Sequence, residues 1–370
     1  MKVKLKNMPA VLKTAAVLLM AVYIITESRT VSGAVSGAAE RCLYVVIPSL
    51  FAMTAVSSVL VRSGVCRSFG RLTDLPARKV FGMNGEEFAV FLLSMAAGYP
   101  VGAKMLGAMC DEGRVSKRRA ELLGGLCFGA GPAFINGVIA HQLYGSETAG
   151  KVIFLSSVTA NVILALVLSP FLRRGAVLCE RGRGVRIDAG TVTECTLSAG
   201  RSLAGVCFMI MAFAAVSSAL DRTGITTAAG SLLFDLSGLP VENAHQVIRT
   251  ILDITAADGM EKGNWQLLPY LCGLTSFGGV CVMFQIQAIN SGRLRTAPLV
   301  LMRAAAGVLS FGVGRAVMPY FLRNETVTVS TVRAAVHRET SPVPSLMLIV
   351  MVIMLFVSVQ GTEKRDARNL

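Results

Sequence analysis

Long apolar runs alternate with short polar, basic stretches along this chain. The runs lie near 10–26, 43–61, 88–110, 120–143, 152–172, 203–220, 267–289, 300–322 and 345–359, with a shorter one at 247–257. Most approach the roughly 20 residues that carry a helix across a bilayer. The pattern predicts an all-α polytopic membrane protein with about seven crossings. Three runs are broken at their middles by glycine, two of them with proline as well: Gly98-Tyr99-Pro100, Gly129-Ala-Gly-Pro132 and Ser276-Phe-Gly-Gly279. Glycine permits positive φ and proline cannot donate a backbone hydrogen bond. Inside lipid, freed backbone groups are tolerated only where protein buries them or a cavity is lined. The runs at 88–110 and 267–289 are therefore expected to be broken-helix re-entrant hairpins, the bland alternative being kinked ordinary spans.

Local similarities suggest a duplication. Ala55-Val-Ser-Ser-Val-Leu-Val-Arg-Ser-Gly-Val65 matches Ala215-Val-Ser-Ser-Ala-Leu-Asp-Arg-Thr-Gly-Ile225 at seven of eleven positions. Gly113-Arg114 matches Gly292-Arg293, and Phe128-Gly-Ala-Gly-Pro-Ala133 matches Phe311-Gly-Val-Gly-Arg-Ala316, in the same order. Three crossings separate the starts of the two copies, so they are expected to face opposite ways, the arrangement of many secondary transporters. The expected organisation is 1–39 as an N-terminal transmembrane helix and external linker, 40–172 as a first repeat, and 173–197 as a basic cytoplasmic linker. A second, inverted repeat follows at 198–322, then a loop, a C-terminal helix and a charged tail at 323–370. The small residues at 32–39 also fit a signal-peptide cleavage region; the many later spans favour an uncleaved first helix.

Composition supports the membrane reading. Hydrophobic residues make up 53% of the 370, charged residues 16%, and mean hydropathy is +0.62, which excludes an ordinary soluble domain. The net charge of +14 sits in short stretches between apolar runs, the signature of cytoplasmic loops and not of nucleic-acid binding. Nine cysteines form no Cys-x-x-Cys pair and three histidines are scattered, so no metal site or cofactor is expected. No nucleophile–base set or phosphate loop points to an enzyme.

The breaks concentrate the candidate chemistry. Pro100 and Pro132 suit the starts of half-helices, where exposed N–H groups and the positive dipole end attract anions. Lys104 follows one turn after Pro100 and either joins an anion there or snorkels to the interface. Polar side chains at Asn136, Asn161, Thr275, Ser276, Gln285 and Gln287 can bind a ligand or fasten helices together. Asp253, with Thr255, is a candidate for ion coupling; an ion pair with Arg249 is the alternative. The candidate substrate-binding set is Ser94, Gly98, Tyr99, Pro100, Gly102, Lys104, Gly131, Pro132, Asn136, Ser276, Gly278, Gly279 and Gln285.

Ser94-x4-Tyr99-Pro-Val-Gly-Ala-Lys104, Gly131-Pro-Ala-Phe134 and Phe277-Gly-Gly279 together resemble the YlbJ group of sporulation integral membrane proteins, within the nucleoside-recognition, or Gate-domain, membrane families. The resemblance covers about 40–322. It implies transport of dipicolinate across the outer forespore membrane, from mother cell towards forespore. Dipicolinate is a small aromatic dianion, in keeping with the helix starts and Lys104. The chain departs from the group's pattern at Leu252-Asp-Ile-Thr255, where glutamate is expected, and at Cys127-Phe-Gly-Ala130. Alternatives are transport of a nucleoside-like or other polar solute, and a membrane scaffold without transport. The expected partners are a small anion and the lipid bilayer; a homo-oligomer is compatible with the pattern.

Overall fold

The computed structural model describes residues 8–173, 187–290 and 295–322. Every regular element among them is helical. The chain opens with α1 (Met8–Thr26). α2 (Ser28–Arg41), a π-turn at Cys42–Val46 and α3 (Ile47–Arg62) then run together as one 35-residue rod. The stretch 28–39, expected as an external linker, is thus helix. It lies along α10 (Ala189–Arg222), with Ala34 and Ala38 in a core shared with Leu203, Val206 and Cys207.

The basic stretch after Arg62 was expected as a loop. It instead forms the amphipathic helix α4 (Val65–Pro76) and a π-turn at Ala77–Phe81. The apolar runs 88–110 and 120–143 are each divided. The first becomes α5 (Gly85–Ala97) and α6 (Tyr99–Asp111). The second becomes α7 (Lys117–Leu126), an irregular stretch, α8 (Pro132–Phe134) and a π-helix at Ile135–Tyr144. α9 (Glu147–Arg173) is a single helix of 27 residues.

α11 (Ile225–Ser237) and α12 (Val241–Leu252) follow α10, then a 3₁₀ turn at Ile254–Gly259. α13 (Leu268–Phe277) and α14 (Gly279–Ile289) meet at Gly278, and α15 (Thr296–Leu322) is again 27 residues long. Five helical stretches among the described residues are long and apolar enough to cross a bilayer: Ser28–Arg62, Glu147–Arg173, Ala189–Arg222, Trp265–Ile289 and Thr296–Leu322. α13, α15 and α9 pack most extensively, and the main hydrophobic core lies between them and the π-helix.

The eleven-residue sequence match has a structural counterpart. Gly64 and Gly224 are both left-handed, at φ 83° and 75°, and each joins a long helix to a shorter one. The match of Phe128–Ala133 to Phe311–Ala316 does not hold. Residues 311–316 lie inside the uninterrupted α15. Arg315 stands where the first copy has Pro132, so nothing stops the helix. Gly292, Arg293 and the expected last span 345–359 lie outside the described residues.

One polar cluster ties helix ends together. Asn84 caps α5: its side chain accepts from the Glu87 N–H, and the Glu87 carboxylate accepts from the Asn84 N–H, both at 2.8 Å. The buried Arg119 on α7 closes Nε and Nη2 on the Glu87 carboxylate, with Nη2 to Oε2 at 2.7 Å. It also donates to the carbonyls of Leu172 (2.5 Å) and Gly82 (3.0 Å). Arg114 pairs with Glu86. Two arginines that read as free loop charges are therefore spent on α5. Replacing Arg119 by alanine strands a buried carboxylate, at a cost of about 3–5 kcal/mol. Thermal unfolding in detergent is expected to show a clearly lower Tm for Arg119→Ala, with the exposed neighbour Arg118→Ala unchanged.

Candidate functional site

Three helix interruptions converge in the interior. At Gly98 (φ 97°, ψ 170°) the backbone adopts a conformation that L side chains rarely reach, and it separates α5 from α6. α6 then packs against the end of α5: a β-carbon added at Gly102 would lie 2.7 Å from Ser94 Cβ and collide with the Cys127 carbonyl. The second interruption is Cys127–Gly131, and a β-carbon at Gly131 would sit 3.3 Å from Gly98 Cα. The third is Gly278 (φ 87°), where a β-carbon would meet Phe128 Cζ at 2.5 Å and Tyr99 Cε1 at 3.3 Å. The Tyr99 and Phe128 rings lie 4.9 Å apart. Beside them Gly279 abuts the end of α12 at Ile251–Ile254.

Side chains from neighbouring elements satisfy the carbonyls these interruptions release. The Tyr99 hydroxyl donates to the Thr275 carbonyl at 2.6 Å. Asn161 on α9 donates Nδ2–H to the Phe128 carbonyl at 2.7 Å, and Arg303 on α15 donates Nη1–H to the same oxygen at 3.2 Å. Arg303 Nη2 donates to Asn161 Oδ1 at 2.8 Å, and its guanidinium lies 4.7 Å from the Phe128 ring centroid. This is stacking of a cation on an aromatic face.

Lys104 opens onto a separate cleft of about 220 Å³. Its walls are the C-terminal ends of α3, α6 and α14 and the beginning of α10, including Ser58, Arg62, Asp111, Ser198 and Asn290. A narrow second cavity also touches Lys104 and reaches Pro100 at the start of α6. The Lys104 ammonium is buried and has no hydrogen-bond partner. Arg62, across the cleft, is held by Glu194 at 2.6 Å.

The expected residues divide between these places. Gly98, Tyr99, Gly131, Gly278 and Gly279 form the meeting of the interruptions, with Pro132 just after it. Pro100 and Lys104 face the cavities, and Gly102 makes room for the turn. Ser94 is buried, its hydroxyl donating to the Phe91 carbonyl at 2.7 Å. Ser276 pairs with Ser157 at 3.1 Å, and Gln285 reaches Cys281 Sγ at 3.3 Å. Neither lines the cleft, whose α14 wall is Ile289 and Asn290. Asn136 is exposed on the π-helix, beside Gly150.

Asp253 is not paired with Arg249. It accepts from the Thr255 N–H (3.0 Å) and hydroxyl (2.9 Å), while Arg249 pairs with Asp221 at 2.7 Å. α12 ends at Leu252, and Asp253 is extended (φ −141°, ψ 114°), so the helical i, i+4 relation is lost. Arg303 and Phe128 are the functional candidates that sequence reasoning passed over. The signal for Arg303 was an arginine within the apolar run 300–322, which also carries Arg315.

The helices define an integral membrane protein of the polytopic α-helical class, with interrupted helices meeting inside it. A stretch of 130 residues, 35% of this chain, is 28% identical to the sporulation integral membrane protein YlbJ of Bacillus subtilis (strain 168). The match spans 32% of that protein's length. No family model and no solved structure matches the chain.

Tyr99→Phe keeps the ring in its packing and removes only the hydroxyl. The Thr275 carbonyl then loses that donor, at a cost of about 1–3 kcal/mol. The variant is expected to melt several degrees below wild type in detergent; an unchanged Tm would mean that this carbonyl finds another donor.

Proposed function

We propose that this protein is a membrane transporter for a small carboxylate anion, and that the anion is dipicolinate moved across the outer forespore membrane during sporulation. The observation that carries the reading is the buried, unpartnered ammonium of Lys104 in its cleft. A buried cation without a counter-charge is costly in a membrane protein and marks a place where an anion is expected. Arg62 adds a second basic side chain to the wall of the cleft, and the narrow cavity beside Lys104 reaches Pro100 at the start of α6, where the free N–H groups and dipole of a half-helix favour the same sign of ligand. The similarity to a sporulation integral membrane protein supports the biological setting.

In this reading the molecule is two inverted repeats, each with a broken-helix hairpin. The order of elements supports it. A long helix, a left-handed glycine and a shorter helix, with an interrupted helix and a 27-residue helix at the end, occur within α3 to α9 and again within α10 to α15. Phe128-Gly129 and Phe277-Gly278 fall at corresponding interruptions. Two copies of one fold that face opposite ways can exchange inward-open and outward-open shapes around a common centre.

Equilibrium binding to purified protein tests the reading, with dipicolinate as ligand and nucleosides as controls. Dipicolinate is expected to bind and nucleosides are not. Lys104→Ala is expected to weaken binding about 10- to 100-fold, the worth of one charge-assisted hydrogen bond, and Lys104→Arg to retain most of it. Nucleoside binding, or wild-type affinity in Lys104→Ala, would overturn the assignment. A scaffold would give no binding of either ligand.

A further inference from the structure

Two arginines are deeply buried among the described residues, and they are treated differently. Arg119 has a full counter-charge: its Nε and Nη2 close as a fork on the two oxygens of Glu87. Arg303 is 0% exposed and presents the same edge to a neutral group. Its Nη2 rests on the amide oxygen of Asn161, and its Nε has no partner. Among the described residues no carboxylate forms an ion pair with it; its surroundings are the Phe128 ring, the Phe128 carbonyl and Asn161.

A structural clip does not need this charge. Asn161 already donates to the Phe128 carbonyl, at 2.7 Å against 3.2 Å for Arg303. Arg303 stands about 10 Å along α15, inside an apolar helix, where an arginine is among the costliest residues to insert. What it offers is a guanidinium edge with one donor free and the other on an exchangeable neutral acceptor. That edge matches a carboxylate in bidentate geometry. Lys104 and Tyr99 are five residues apart on α6, about 140° around the helix. The lysine therefore faces its cleft while Tyr99 faces Phe128, over which Arg303 lies.

We propose that Arg303 is a second anion station, separate from the Lys104 cleft, whose Nε–Nη2 edge takes a substrate carboxylate from Asn161 when the Cys127–Gly131 stretch withdraws. The proposal rests on the transporter reading and deepens it: one cation receives the anion in the cleft, and another receives it behind the interruptions.

The test uses the full chain in lipid vesicles, with dipicolinate, phthalate and acetate as probes for binding and uptake. In Asn161→Asp a built-in carboxylate fills the arginine edge. This variant is expected to melt at or above the wild-type temperature and to bind dipicolinate within about twofold of wild type, while uptake falls at least about tenfold. Arg303→Gln keeps a donor for the Phe128 carbonyl and is expected to lose uptake equally; Arg303→Lys keeps the charge and recovers part of it. Wild-type uptake by Asn161→Asp or by Arg303→Gln would overturn the station while leaving the cleft intact. So would an Arg303→Lys protein that melts normally and is as inactive as Arg303→Gln. If the wild-type protein binds none of the three probes, the cleft reading fails, and the station fails with it.

Discussion

A backbone carbonyl released inside a bilayer has no water to turn to, and this constraint organises the centre of the molecule. The three interruptions do not each solve the problem alone. Tyr99, which begins α6 at the first interruption, supplies the donor for Thr275 at the third. Asn161 and Arg303, from the two 27-residue helices, supply donors for Phe128 at the second. The interruptions are thus mutually dependent. A shift at one removes a partner from another, which is how small displacements in packed interiors become discrete rearrangements. The glycines allow these contacts because their missing side chains let backbone and aromatic rings touch directly.

Charge is handled in two ways in the same structure. At the foot of α5, Glu86 and Glu87 are neutralised by Arg114 and Arg119, and the fork on Glu87 binds the ends of α7 and α9 to the capping box. That cluster pairs each carboxylate with an arginine and holds elements in place, although Arg114 keeps a bare Nε. Lys104 and Arg303 keep unsatisfied donors and, among the described residues, have no carboxylate ion-pair partner. Natural proteins seldom retain such groups in a membrane interior unless a ligand, ion or proton uses them.

Much of this was legible in the sequence where the signal was local. Gly98 and Gly278 end helices because of their own backbone freedom, and Pro100 and Pro132 start the next ones as N-terminal prolines do. The recurrence of Gly64 and Gly224 was readable for the same reason. Errors arose where local pattern stood in for tertiary context. The Arg249–Asp253 pair presumed a helix that stops one residue too soon. Phe311-Gly-Val-Gly314 resembles an interruption in composition, yet Gly314 serves close packing against Cys272 within a continuous helix. The stretch 28–39, expected as an external linker with small residues fitting a cleavage region, is helix, and its Ala34 and Ala38 pack against α10. The partners of Arg303 come from 142 and 175 residues away, and spacing in the chain carries no trace of them.

The walls of the Lys104 cleft have one more implication. Ser58 and Arg62 close α3, Asp111 closes α6, Asn290 follows the last residue of α14, and Ser198 lies near the beginning of α10. Ends of membrane-crossing helices lie towards the headgroup layers, so a hollow bounded by them sits nearer water than the middle of the acyl chains. Its rim is wet, and counterions in the adjoining water compete for whatever its charges attract.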